Sequence, residues 1–170
     1  MENASKIENG SLTITRFINA PQEKVWKAFT DPEEMKKWWG PQNWSAPTVK
    51  IDFKVGGKYL LCMRGSMGPG QPEIDTWSAG IYEEIVPMEK IVVMDFFSDD
   101  KGNKINASVY GLPDTFPMES KIIFTFEEIE SGTMKFTLHY PSISGIEGKM
   151  QSDMVQGWNQ SLDKLEAALK

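Results

Sequence analysis

The 170 residues include a single cysteine, a single histidine and only two arginines. With one thiol, Cys62, no internal disulfide can form. Cys62 and His139 together are too few soft ligands for a Cys/His zinc site. A surplus of positive charge is also missing: 18 basic against 24 acidic residues leave a net charge of −6. That balance argues against nonspecific nucleic-acid binding and against docking on anionic lipid by charge alone. Long hydrophobic runs are absent. The longest, residues 59–63, falls far short of the ~20 residues of a membrane span, so no membrane insertion is expected. No apolar segment follows the first residues, so a secretory signal is not expected and a cytoplasmic location is. The glycine-rich stretch 65–70 (GSMGPG) has neither the Lys-Ser/Thr nor the helix that a phosphate loop needs. EF-hand, GxSxG and Rossmann patterns are absent as well, so no metal, nucleotide, flavin or other cofactor is implied.

Hydrophobic residues make up 40% of the chain and charged residues 25%, the composition of a globular domain. The length fits one domain and needs no covalent staple, since such a chain buries about 70% of its unfolded surface. Residues 1–10 are polar and read as a flexible N-terminus before a single domain over 11–170. Residues 11–18 (SLTITRFI) read as a strand. Pro21 then opens a helix carrying Val25, Ala28 and Phe29 at helical spacing, and Asp31-Pro32 caps and starts a second, short one. Residues 48–55 alternate apolar and charged, the mark of a half-buried strand. Gly56-Gly57 turns it into a return strand over 58–64. Further strands are expected at 75–86, 90–98, 118–129 and 133–140, with long loops at 65–74 and 99–117. The period then changes. Ile146, Met150, Met154, Trp158, Leu162, Leu165 and Leu169 form one apolar stripe on a helix of five or six turns. Short turns between successive strands predict an antiparallel sheet, and the striped helix must be buried against it.

Several ordered segments resemble a known family. They are Ala20-Pro21 with Val25-Trp26, Asp31-Pro32 with Trp38-Trp39, and Val55-Gly56-Gly57-Lys58. Gly80-Ile81-Tyr82-Glu83-Glu84-Ile85 and Gly157-Trp158 with Ser161-Leu162-Lys164-Leu165 complete the set. Together they resemble the START-like superfamily, in the branch named after the activator of heat-shock-protein-90 ATPase. The resemblance implies an α+β helix-grip fold. A curved antiparallel sheet of six or seven strands would wrap around a long C-terminal helix, with two short helices after the first strand. It also implies an apolar pocket between sheet and C-terminal helix. By analogy with that fold, Trp39, Phe53, Met63, Trp77, Phe96, Met150 and Met154 are the expected ligand-binding residues, large soft side chains suited to apolar ligands. Trp158 is expected to close the helix onto the sheet, and Trp26 to pack helix on sheet.

Three functions follow from the resemblance, in this order: a carrier of a small hydrophobic, lipid-like or amphipathic molecule; a partner module for a chaperone; and a polyketide-cyclase-like enzyme. A shared fold does not choose among them. No catalytic constellation stands out. His139 alternates with the apolar Met134, Phe136, Leu138 and Tyr140, so it is expected on the outer face. Cys62 has no neighbouring base and reads as structural. Among the carboxylates Asp52, Glu73, Asp75, Asp95 and Glu119, Asp95 is distinctive because it interrupts the apolar run from Ile91 to Phe97. Arg16 and Arg64 are expected in surface ion pairs. Exposed edge strands allow either a monomer or a homodimer.

Overall fold

The computed structural model describes residues 1–170. Eight strands form one antiparallel sheet: β1 (Ala4–Glu8), β2 (Ser11–Ile18), β3 (Ser45–Ile51), β4 (Lys58–Ser66), β5 (Glu73–Val86), β6 (Lys90–Ser98), β7 (Ser120–Glu130) and β8 (Thr133–Tyr140). Two short helices, α1 (Gln22–Thr30) and α2 (Pro32–Met35), lie between β2 and β3, and α3 (Lys149–Ala168) ends the chain. The order across the sheet is β1-β2-β8-β7-β6-β5-β4-β3. Only the β2–β8 pairing joins distant parts of the sequence, and it brings the start of the chain beside its last strand. This α+β arrangement, a curved sheet with a long C-terminal helix, is the helix-grip fold.

Local chemistry accounts for the elements. In β2 and β8, buried and partly exposed residues alternate strictly, so one face of each strand enters the core. Asp31 caps α2 by accepting from the Glu33 backbone N–H at 2.9 Å, with Pro32 at the first helical position. The start of α1 has no side-chain cap. Instead the Gln22 amide donates to the carbonyls of Met88 (2.7 Å) and Phe126 (3.0 Å), which fixes the helix to the sheet. The core centres on Phe29, Trp38, Phe124, Phe126 and Phe136, and Trp38 is fully buried with its indole N–H donating to the Ala28 carbonyl at 2.9 Å.

Three sequence expectations change. The sheet has eight strands rather than six or seven, because residues 4–8 pair with β2. The signal for that hairpin is Asn9-Gly10, which takes φ of 51° and 74°, the left-handed pair of a tight hairpin turn. β3 runs over Ser45–Ile51, earlier than the alternation suggested, and Phe53 lies beyond its end. Arg16 faces inward. Its side chain is 7% exposed and packs under α3, donating to Asn159 (backbone and side-chain oxygens, 2.9–3.3 Å) and to Glu166 (2.7 Å), with Asp163 at 2.8 Å. It ties sheet to helix from within, whereas Arg64 forms the expected exposed pair with Asp75.

Candidate ligand cavity

The inner face of the sheet lines a small, partly open cavity. Its floor comes from Tyr59 and Leu61 of β4, Tyr82 of β5, Ile91, Val93 and Asp95 of β6, and Ile122 and Phe124 of β7. Its roof is Phe29 from α1, Met35 from α2 and Trp39 just after it. The free volume is about 30 Å³, room for about two water molecules. No side chain of α3 lines it. That helix backs it through Trp158, whose ring stands edge-on to Trp39 with centroids 5.5 Å apart. The cavity therefore sits under the α1–α2–Trp39 segment rather than directly under the C-terminal helix. Lys164 of α3 holds that segment from outside, donating to the carbonyls of Gly40 (3.0 Å), Pro41 (3.4 Å) and Trp44 (2.8 Å). Its burial lowers the pKa of the ammonium.

The polar end of the cavity is set by register. Tyr59, Gly80 and Asp95 stand in one row across β4, β5 and β6. Gly80 has no side chain, so the Tyr59 phenol lies across it and donates to Asp95 Oδ2 at 2.5 Å. A Cβ at position 80 would collide with the Tyr59 hydroxyl and with the Met94 carbonyl. Asp95 is half-buried, and burial of its carboxyl pushes its pKa up to about 7, against a smaller downward pull from the Tyr59 hydrogen bond. Burial first, and then Asp95, raises the pKa of Tyr59 well above the usual phenol range, so it stays a neutral donor. Tyr140 is raised by the same two causes in the same order, and its hydroxyl accepts from Trp158 Nε1 at 3.0 Å. Trp39 brings a further donor. Its Nε1–H is buried and has no acceptor in the protein.

The residues expected from the sequence are distributed over several places. Trp39 lines the cavity. Met63 is on the inner face of β4 beside Gly40. Phe53 packs edge-on to Trp26 and Tyr82, at 5.7 and 5.1 Å between centroids. Met150 and Met154 pack against the core from α3, outside the cavity lining. Trp77 and Phe96 alternate with Thr76 and Asp95 and so project from the other side of the sheet. There Phe96 joins Leu60, Ala79 and Ile81 in an open outer basin of about 480 Å³ edged by Lys50, Lys58 and Lys101, and Lys104 Nζ lies 5.0 Å from the Phe96 ring. Sequence reasoning missed Tyr59, Tyr82 and the apolar wall of β6 and β7 as cavity residues. The available signal was Asp95 inside an apolar strand, with a glycine in the neighbouring long strand.

The remaining titratable candidates lie elsewhere. His139 occupies the outer face, its Nδ1 2.8 Å from the Thr13 hydroxyl. Cys62 is buried, and its thiol is pushed up to about 11, by burial first and by Asp75 second, which makes it a poor nucleophile. The long 99–117 segment is pinned by Tyr110, whose hydroxyl donates to the Ser98 carbonyl (2.6 Å) and accepts from the Trp77 N–H (3.1 Å). No helix is long and apolar enough to cross a membrane.

Comparisons with known proteins agree with this architecture. A family model described as Activator of Hsp90 ATPase homolog 1-like protein matches residues 19–170. A solution structure of a Staphylococcus epidermidis protein is 24% identical, with 97% of this chain and 92% of that one covered at a TM-score of 0.73. One from Arthrobacter aurescens is 22% identical, with 98% and 90% covered at 0.73. The crystal structure of the AHSA1 protein from Silicibacter pomeroyi is 20% identical, with 94% and 96% covered at 0.68. These likenesses establish a shared fold. No match is found among curated proteins. With its family model spanning all but the first β-hairpin, the chain belongs to the activator of Hsp90 ATPase homolog 1-like family.

Proposed function

We propose that the domain binds a small, largely apolar molecule in the cavity roofed by Phe29, Met35 and Trp39. The observation that carries this reading is the lining. Ten of the eleven residues are hydrophobic and the eleventh is Asp95, the pattern of an apolar site with few orienting polar groups. Affinity would come mainly from apolar area removed from water, at ~25 cal/mol per Å². The resting space is smaller than such a ligand, so entry displaces roof side chains. Met35 is unbranched and adaptable, and Trp39 stands on the segment that Lys164 holds.

The test is titration with the neutral fluorescent probe N-phenyl-1-naphthylamine. The expected result is saturation at one probe per chain in the native protein. Ile122→Trp, which fills the cavity, weakens binding at least tenfold while the circular dichroism of the sheet is kept. Equal binding by a folded Ile122→Trp variant would place the probe elsewhere and end this reading. A second reading, docking to a chaperone, is supported by the family's name and by the outer basin. There Lys50, Lys58 and Lys101, against the single carboxylate of Asp52, edge an apolar floor that suits an acidic partner surface.

A further inference from the structure

The free volume of the cavity, about 30 Å³, admits no ligand until part of the roof moves. The roof side chains differ in how they are held. Phe29 is packed among four core rings. Trp39 stands on the stretch 36–44, which is neither helix nor strand. All hydrogen bonds from residues 40–44 to other parts of the chain run to α3. The Lys164 ammonium donates to the carbonyls of Gly40, Pro41 and Trp44. Gln160, about one helical turn earlier, accepts from the Gln42 N–H at 3.1 Å. Neither side chain lines the cavity, so both hold the roof from behind.

The closed position also carries an opposing term. The Trp39 Nε1–H is buried without an acceptor, and an unpaired buried donor destabilises the state that contains it. Outward movement of Trp39 gives that N–H to water. The bonds from the Lys164 ammonium are charge-assisted and oppose that movement.

We propose that Lys164 is the latch of the cavity: it holds residues 40–44, and with them Trp39, in the closed position, and ligand enters when it lets go. The role in entry rests on the cavity being the binding site, whereas the latch itself does not. An occupied cavity needs the roof displaced, so the latch works against binding. Breaking it strengthens binding, and the gain lies in the association rate, because more molecules are open when ligand arrives.

Two measurements compare the native protein with Lys164→Met, which keeps the side-chain length and removes the donors. The first, hydrogen exchange of the indole N–H groups followed by NMR, needs no ligand. Trp39 is expected to exchange about tenfold faster in the variant. Trp38 and Trp158, bonded to the Ala28 carbonyl and the Tyr140 hydroxyl, are expected to keep their rates. Unchanged exchange at Trp39, or equal acceleration of all three indoles, would overturn the latch, the second by showing a general loss of stability. The other measurement is stopped-flow mixing with N-phenyl-1-naphthylamine. Association is expected to be about tenfold faster in the variant, with dissociation unchanged and Kd lowered by the same factor. Gln160→Leu, which removes one tether only, is expected to move both readouts less and in the same direction. Association no faster in the variant, or a raised Kd, would overturn the latch and leave the cavity as the binding site. Failure of both proteins to bind the probe would end the cavity reading, and with it the role of Lys164 in entry.

Discussion

Asp95→Asn raises the stability of the protein at pH 8 by about 4 kcal/mol and changes it little at pH 4. The unfolded chain releases the Asp95 proton near pH 4, whereas the folded protein holds it to about pH 7. Between those values the folded state binds more protons than the unfolded one, so unfolding becomes easier as pH rises. Stability linked to this group is fully present below about pH 4, falls through the window, and is flat above about pH 7. Three pKa units correspond to about 4 kcal/mol. Asparagine does not ionise, and its carbonyl still accepts from the Tyr59 hydroxyl, so the variant loses that slope. Urea unfolding from pH 4 to 9 measures it. Parallel curves for the two proteins would show that Asp95 ionises freely and that its surroundings are wetter than described.

Phe29→Ala removes 3–5 kcal/mol of stability, and an apolar ligand returns part of it. Phe29 is the one ring that belongs to both the core and the cavity roof. Its centroid lies 4.8 Å from Trp38, 5.4 Å from Phe124, 5.2 Å from Phe126 and 5.1 Å from Phe136. Its loss leaves those rings without contacts and joins a ring-sized space to the existing 30 Å³. An apolar void of that size stays dry and accepts benzene. Urea unfolding with saturating benzene is expected to raise the variant by roughly 1–2 kcal/mol through mass action and to leave the native protein nearly unchanged. A loss under 1 kcal/mol, or no response of the variant to benzene, would contradict the packing described here.

Most of the fold was readable from the sequence because each element carries its own period. β8 matches residues 133–140 because alternation marks both of its ends. The stripe from Met150 to Leu169 marked α3 because helical spacing persists over twenty residues. Ile146, included in that stripe, lies before the helix yet is buried, since burial by a turn and by a helix face look alike in a sequence. The N-terminal strand was hidden because all five of its residues are exposed, which leaves no alternation to see. Arg16 was misplaced for the opposite reason. Its position falls on the same face as Leu12, Ile14 and Ile18, and the pattern pointed inward, but the partners that satisfy its charge lie about 150 residues away.

The cavity was less legible than the fold. Its lining comes from six elements, and only strand register brings Tyr59, Gly80 and Asp95 into one row. Aromatic and methionine content drew the choice of site residues toward bulk, but period-2 geometry sends Trp77 and Phe96 to the outer face. Asp95 stood out as the one charge inside an apolar strand. Its hydrogen bond to Tyr59 depends on the absent side chain of Gly80, a contact that no local pattern encodes.

The central claim, that ligand enters the inner cavity, is tested most directly by methyl NMR of protein labelled at isoleucine and titrated with N-phenyl-1-naphthylamine. Ile91 and Ile122 line the cavity, and Ile81 lines the outer basin. The account predicts large, saturable shifts at the Ile91 and Ile122 methyls with Ile81 nearly still. Shifts concentrated at Ile81, with Ile91 and Ile122 unmoved, would contradict it and move the binding surface to the outer face of the sheet.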